Sequence, residues 1–191
     1  MISGKEIVKV LDLESNQAID MSLHELYMRK IRNGIDRFMV KDRFGWTHVT
    51  NIQEYPNPGF ICIIQPNAPN TSSITVSSDH IIPVYNGKFT SGFHGVACYE
   101  NKPHGALALA RILETSKAWN HLPSIGPMLL LNAETNRFYE FCIMENKDDH
   151  FVAIDIQTKS GYIDINGFSL TADDKYRDIE SLYMECKSNH Q

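Results

Sequence analysis

His80 is the residue of this chain best placed to do chemistry. It follows Ser73-Ile74-Thr75-Val76-Ser77-Ser78-Asp79 and precedes Ile81-Ile82-Pro83-Val84. The two flanking runs, rich in Val and Ile, read as strands, and the polar step between them reads as a turn. A histidine fixed at such a turn, with the Ser77 hydroxyl and the Asp79 carboxylate close by, has the means to give or take a proton near neutral pH. A single histidine at a strand end more often packs or faces water, so the rest of the chain has to decide.

Other groups of chemically useful residues carry less. Asp148-Asp149-His150 has the types for acid–base or metal chemistry, but it lies in a polar stretch between two strands and reads as a solvated loop. His94, His104 and His121 have no acidic or cysteine partners at ligand spacing. Cys62, Cys98, Cys142 and Cys186 are far apart and form no CxxC pair. Zinc-site and thioredoxin-like readings therefore have no support, free thiols in a reducing compartment are the expectation, and a disulfide stays open. The chain holds no P-loop, no GxGxxG after a strand and no GxSxG. Neither a cofactor nor a metal is expected.

Composition narrows the class further. The 191 residues suit one domain, or one domain with an appendage, and 42% hydrophobic with 21% charged residues is ordinary for a chain that buries a single core. A net charge of −5 leaves no basic footprint for nucleic acid. The longest apolar runs, such as Pro127-Met128-Leu129-Leu130-Leu131, are far too short to span a bilayer. Met1-Ile2-Ser3-Gly4-Lys5-Glu6 has no basic segment leading into an apolar one, so no secretory signal is read. A cytoplasmic protein without membrane or nucleic-acid partners is the expectation.

The elements that must position His80 are mostly strands. Alternation predicts a strand at Glu6–Val10. Ser22 with Glu25 three residues on is a capping-box signature, and Leu23, Leu26, Tyr27 and Ile31 follow at helical spacing, so Met21–Asn33 predicts a short helix stopped near Gly34. Strands are predicted at Phe38–Val40, Trp46–Ile52, Phe60–Ile64, Ile74–Val76, Ile81–Tyr85, Met128–Leu131, Arg137–Met144, His150–Gln157, Tyr162–Ile165 and Phe168–Leu170. Asn86-Gly87 and Asn166-Gly167 both read as two-residue hairpin turns. Gly105–Lys117 fits a short helix or a buried strand equally well. From Asp173 the character changes. Tyr176, Ile179, Leu182, Tyr183 and Cys186 fall near helical spacing among charges, which predicts a C-terminal amphipathic helix outside the β unit. That helix packs on its own domain or docks on a protein partner. Short strands with regular turns and little helix make the class all-β.

The order of these elements resembles the Hint domain, the fold shared by inteins and hedgehog autoprocessing domains. Four places carry the likeness over about residues 1–172: Met1-Ile2-Ser3-Gly4, similar to an intein opening; Trp46–Val49 followed by Ile74–Val84, where Ser77-Ser78-Asp79-His80 looks like the Thr-x-x-His block; Phe151–Thr158, similar to the late block built around an acidic residue, here Asp155; and Gly161–Leu170, whose Asn166-Gly167-Phe168 resembles the closing strand. The resemblance implies a Hint-like β domain at 1–172 and a helical extension at 173–191. It also implies a chemistry: a Cys or Ser at position 1 attacks the preceding carbonyl, the block histidine protonates the departing nitrogen, and a terminal Asn attacks its own carbonyl.

Both ends depart from that pattern. Met1 has a thioether, which cannot carry an acyl group, and, read as the first residue, it is expected to leave no upstream segment to splice. Thr171-Ala172 stand where an intein ends His-Asn, and Ala172 has no amide to cyclise. Ser3 is the nearest hydroxyl to the start, but before Gly4 it reads as a turn residue. The expectation is an intein-related module that no longer splices, with His80, Ser77, Asp79 and Asp155 as relics of the site, acting as a structural or interaction domain, with a phage or virion setting among those the resemblance suggests. Two other readings stay open: residual self-cleavage assisted by His80, and an intein blocked by engineering at Met1 and Ala172. The tail, which reads as native sequence, argues against the second.

Overall fold

A computed structural model describes residues 1–57, 59–89, 97–99, 104–118 and 128–173. The predicted C-terminal helix with Tyr176, Ile179, Leu182 and Tyr183, and much of the stretch from Gly92 to Ser124, lie outside the described residues.

The chain begins as a strand. β1 (Ile2–Ser3) leads through a turn to β2 (Ile7–Asp12) and β3 (Gln17–Ser22). β2 alternates strictly, with Val8 and Val10 buried and Ile7 and Lys9 exposed, as a half-buried strand must. β3 escapes sequence reading because Gln17–Asp20 are all exposed and no apolar alternation marks them.

Ser22 then caps α1 (Leu23–Asn33), its hydroxyl accepting the Glu25 amide at 3.1 Å, and Gly34 at φ 82° closes the far end. Only half of the predicted capping box forms, because the Glu25 carboxylate turns to Arg29 at 3.1 Å instead of reaching back to the cap. A 3-10 turn at Ile35–Arg37 follows. Arg37 grips Asp12 with two parallel bonds, at 2.8 and 2.9 Å, which pins this turn to β2 and holds the Asp12 carboxyl well below the usual carboxylate range.

β4 (Phe38–Asp42), β5 (Gly45–Pro56), β6 (Gly59–Pro66) and β7 (Ile74–Ser77) come next, then β8 (Ile81–Ile82), β9 (Tyr85–Phe89), β10 (Ala97–Tyr99) and β11 (His104–Gly105). Gly105–Lys117 resolves as a helix, α2 (Ala106–Ala118). The last strands are β12 (Met128–Asn132), β13 (Arg137–Tyr139), β14 (Phe141–Asp148), β15 (Val152–Thr158), β16 (Tyr162–Ile165) and β17 (Phe168–Thr171). The class is all-β with two short helices.

Of the two Asn-Gly signals, one is a turn and one is not. Asn166 and Gly167 have φ of 50° and 87°, the left-handed pair that a tight hairpin needs. Asn86-Gly87 runs straight through β9, where Asn86 pairs with Cys98 on one side and Met128 on the other. Pairing on both sides overrides the local turn preference.

Nine strands form one antiparallel sheet in the order β14-β6-β7-β1-β15-β5-β4-β2-β3. A second sheet runs β10-β9-β12-β17-β16, with β13 on β12. The core lies between them: Ile2, Val10, Ile52, Ile154, Phe168 and Leu170 are fully buried in it. One consequence matters for function. The first residues of the chain form a central strand, with β7 on one side and β15 on the other.

Candidate functional site

The site begins with β1. Its register sets Ile2 against Val76 of β7 and against Ile154 of β15. One step back along both antiparallel ladders, Met1 stands beside Ser77 on one side and Asp155 on the other, and the Ser77 amide donates to the Met1 carbonyl at 2.8 Å. Residues directly opposite in such ladders share a face, so Ser77, Met1 and Asp155 form a row across three strands.

After β7 the chain turns tightly. The His80 amide bonds the Ser77 carbonyl at 3.1 Å, and the Ser77 hydroxyl donates to the Asp79 carboxylate at 2.8 Å. The start of α2 braces the turn from outside: Ala106 and Leu107 amides donate to the His80 and Ser78 carbonyls, each at 2.9 Å.

The turn delivers a fully buried imidazole. His80 Nδ1 lies 3.1 Å from the Met1 amino nitrogen, which itself donates to Ser77 Oγ at 2.7 Å. On the opposite edge, His80 Nε2 lies 2.9 Å from the Thr171 carbonyl oxygen and 3.3 Å from the Thr171 hydroxyl. A carbonyl only accepts, so Nε2 carries the proton, and Nδ1 of the neutral ring is left as an acceptor facing the Met1 nitrogen. Thr171 Oγ1 in turn donates to the Ile81 carbonyl. Thr171 and Ala172 are buried, and the Ala172 amide is held by the Gly161 carbonyl at 2.8 Å. One ring thus joins Met1 to the end of the last strand, reaching 79 positions back and 91 positions on from His80.

Of the residues singled out from the sequence, the structure brings Ser77, Asp79 and His80 into one hydrogen-bonded unit. Asp155 shares their sheet face, partly exposed and paired with Gln53. Ser3 is buried at the end of β1, and its hydroxyl accepts the Lys5 amide of the following turn at 3.3 Å. Asp148 and His150 form an exposed turn, with the His150 amide on Asp148 Oδ1 at 2.8 Å.

Sequence reading missed Glu6. It is buried, and its carboxylate accepts the Thr75 amide at 3.2 Å and the Asn166 side-chain amide at 2.7 Å. Asn166 also donates to the Ser73 carbonyl at 3.1 Å. Burial pushes the Glu6 carboxyl upward, and the Thr75 and Asn166 donors oppose that. This clamp ties the entry to β7 to the turn between β16 and β17, the two elements that carry His80 and Thr171. The available signal was an acidic residue inside an apolar, strand-like stretch.

The chemistry on offer is proton transfer and polarisation. The ring can exchange a proton with a nitrogen at position 1, and its Nε2–H polarises the Thr171 carbonyl. Met1 carries a thioether and Ala172 a methyl group.

Comparison with known proteins bears on the fold. Three solved inteins share it: the Pab PolII intein (12% identity over 90% of this chain and 99% of that one, TM-score 0.56), the mini-intein of transcription factor IIB Mvu (12%, 90% and 99%, 0.55) and the VidaL intein (10%, 91% and 97%, 0.55). The chain has the Hint fold of inteins. No family model and no curated protein sequence matches it. At 10–12% identity the likeness is one of fold, and the matches span nearly the whole length of each intein, so the two-sheet Hint body accounts for most of this chain. No helix among the described residues is long and apolar enough to cross a membrane.

Proposed function

We propose that this Hint domain keeps the histidine that would activate a peptide bond, lacks the nucleophiles that splicing needs, and serves as a structural or interaction module. One observation carries the reading: His80 sits between the Met1 nitrogen at 3.1 Å and the Thr171 carbonyl at 2.9 Å, so the geometry of both junctions is held. An acyl shift needs a thiol or hydroxyl at position 1, and release at the other end needs a side-chain amide. Met1 and Ala172 supply neither. Of the earlier relic residues, Ser77 and Asp79 hold the Met1 nitrogen and the turn, and Asp155 flanks them. The segment with Tyr176, Ile179, Leu182 and Tyr183 is the proposed contact for a protein partner.

The test is intact mass over days at neutral pH, with and without added thiol, followed by restoration of one nucleophile. The wild-type chain stays a single species. A Met1→Cys variant carrying an upstream reporter peptide releases that peptide when dithiothreitol is added, and the same variant with His80→Ala does not. A wild-type fragment ending at Thr171, where Nε2–H already polarises the carbonyl, would overturn the reading in favour of residual self-cleavage. A Met1→Cys fusion that stays intact would show that the retained geometry is not competent.

A further inference from the structure

The Thr171–Ala172 peptide is held at both of its polar groups. Its carbonyl accepts His80 Nε2–H at 2.9 Å, and its N–H donates to the Gly161 carbonyl at 2.8 Å. The second bond leads to a buried turn. Thr158 ends β15, Tyr162 begins β16, and Lys159-Ser160-Gly161 carry the chain from one sheet to the other. A connecting turn normally faces water, where its backbone groups find partners. Here Thr158, Ser160, Gly161 and Tyr162 are all buried, so those partners have to come from the protein.

Hydroxyls supply most of them. The Ser160 amide donates to Thr47 Oγ1 on β5 at 3.0 Å, and the Gly161 amide to Thr158 Oγ1 at 3.0 Å. The Tyr162 amide donates to Ser160 Oγ at 3.2 Å. The Tyr162 carbonyl accepts the Thr158 and Ser160 hydroxyls at 3.1 and 3.2 Å.

At the far end of the same hairpin the pattern is the reverse. Asp164 of β16 pairs with Ser169 of β17, both are buried, and Asp164 Oδ1 and Ser169 Oγ have no hydrogen-bond partner among the described residues. Burial first, then Asp42, push the Asp164 carboxyl up to about 7. This hairpin therefore tolerates unpaired buried atoms, and the pairing of the Ser160 turn is a feature of that one place.

Two planar peptides connect the turn to His80. The Gly161 carbonyl and the Tyr162 N–H belong to one peptide unit, and the Thr171 carbonyl and the Ala172 N–H to another. Ser160 Oγ takes the N–H of the first, the carbonyl of the first takes the N–H of the second, and the carbonyl of the second takes Nε2–H. Each plane is rigid, so fixing one edge aims the other, and peptide groups linked in this way polarise one another.

We propose that Ser160 is a positioning residue for the Thr171 end of the junction, aiming the Thr171 carbonyl at His80 through these two peptides, with Thr47 holding Ser160 in place. The proposal rests on the reading that the domain keeps its junction geometry. It gives Ser160 no part in bond breaking.

The experiment follows two signals in the isotope-labelled full chain: the Nε2–H proton of His80 and the deuterium exchange of the Ala172 amide. Ser160→Ala keeps the backbone and deletes the acceptor. The Nε2–H resonance is expected to move upfield as its bond to the Thr171 carbonyl weakens. Ala172 is expected to exchange about 10-fold faster than in the unaltered chain, while Leu170, which pairs with Ile163 in the same ladder, stays within about 2-fold. Thr47→Val gives the same two changes, smaller. Ser22→Ala removes the cap of α1, lowers stability away from the turn and leaves both signals in place. If Ser160→Ala moved neither signal, or moved them no further than Ser22→Ala, Ser160 would be a turn residue only and the proposal would fall. A freely exchanging Nε2–H in the unaltered chain would be a different failure: it would remove the junction geometry itself, and the proposed function with it.

Discussion

The two ends of the β16–β17 hairpin are built on opposite principles. At the Thr171 end, each ring nitrogen of His80 meets a partner, and the Ser77 hydroxyl both accepts from Met1 and donates to Asp79. At the Asp164 end, two buried polar atoms have no partner among the described residues, and Asp42, Lys41, Glu134 and Arg43 surround the carboxylate with charges of both signs. Both ends are buried in the same strands, so depth does not explain the difference. Pairing does. A satisfied network fixes one arrangement, here the one that holds Met1 and Thr171 on a single ring, whereas an unsatisfied one stores a cost that a proton can relieve.

The largest effect is expected at the unsatisfied end. The Asp164 carboxyl titrates near 7 in the folded chain, against about 3.9 when unfolded. Between those values the folded state holds a proton that the unfolded state has lost. The stability this contributes is full below pH 4, declines as pH rises, and is gone above 7. The shift corresponds to about 4 kcal/mol at most. Asp164→Asn removes the ionisation, so urea denaturation should find the variant more stable than wild type at pH 8 and without this decline between pH 4 and 7. An unchanged pH profile would mean that the two ends are alike after all.

His80→Ala strikes the satisfied end and has the opposite sign. It leaves the Thr171 carbonyl without its imidazole donor, removes the acceptor facing the Met1 nitrogen and opens a cavity in a fully buried position. A loss of about 3 kcal/mol is expected at every pH from 6 to 8, readable as a lower urea midpoint with an unchanged slope. If the loss were below about 1 kcal/mol, the network would be ornamental rather than structural.

The satisfied end was also the more legible one in the sequence. A polar turn between two β-branched runs is a local signal, and Ser77, Asp79 and His80 lie within four positions, so short-range reasoning found them. Their partners Met1 and Thr171 lie 79 and 91 positions away from His80, beyond the reach of any local pattern. The Asp164 end left no local mark. A lone Asp in Tyr162-Ile163-Asp164-Ile165 reads as the exposed side of a strand, and only β2 and β4 packing over it make it buried. β3 was invisible because an exposed edge strand has no apolar pattern, and Asn86-Gly87 misled because β10 and β12 pair with it from both sides. In each case the missing information was tertiary.

Between the two ends stands the Glu6–Asn166 clamp, and it gives the smallest and sharpest test. Asn166→Gly keeps the turn, because a φ of 50° suits glycine, but deletes both side-chain bonds, to Glu6 at 2.7 Å and to Ser73 at 3.1 Å. One Glu6 oxygen is then buried without its Asn166 donor, and a loss of about 2 kcal/mol is expected. Glu6→Gln still accepts the Thr75 amide with its single oxygen, but turns its own NH₂ toward the Asn166 amide, for a loss of about 1 kcal/mol. If the two residues act as one clamp, the double variant costs about as much as Asn166→Gly alone, a coupling on the order of 1 kcal/mol in a double-mutant cycle. Simple additivity would mean that Glu6 and Asn166 hold β7 and the hairpin independently. The His80 network would then have to align Met1 with Thr171 without the clamp, and His80→Ala should loosen the hairpin turn as well as the site.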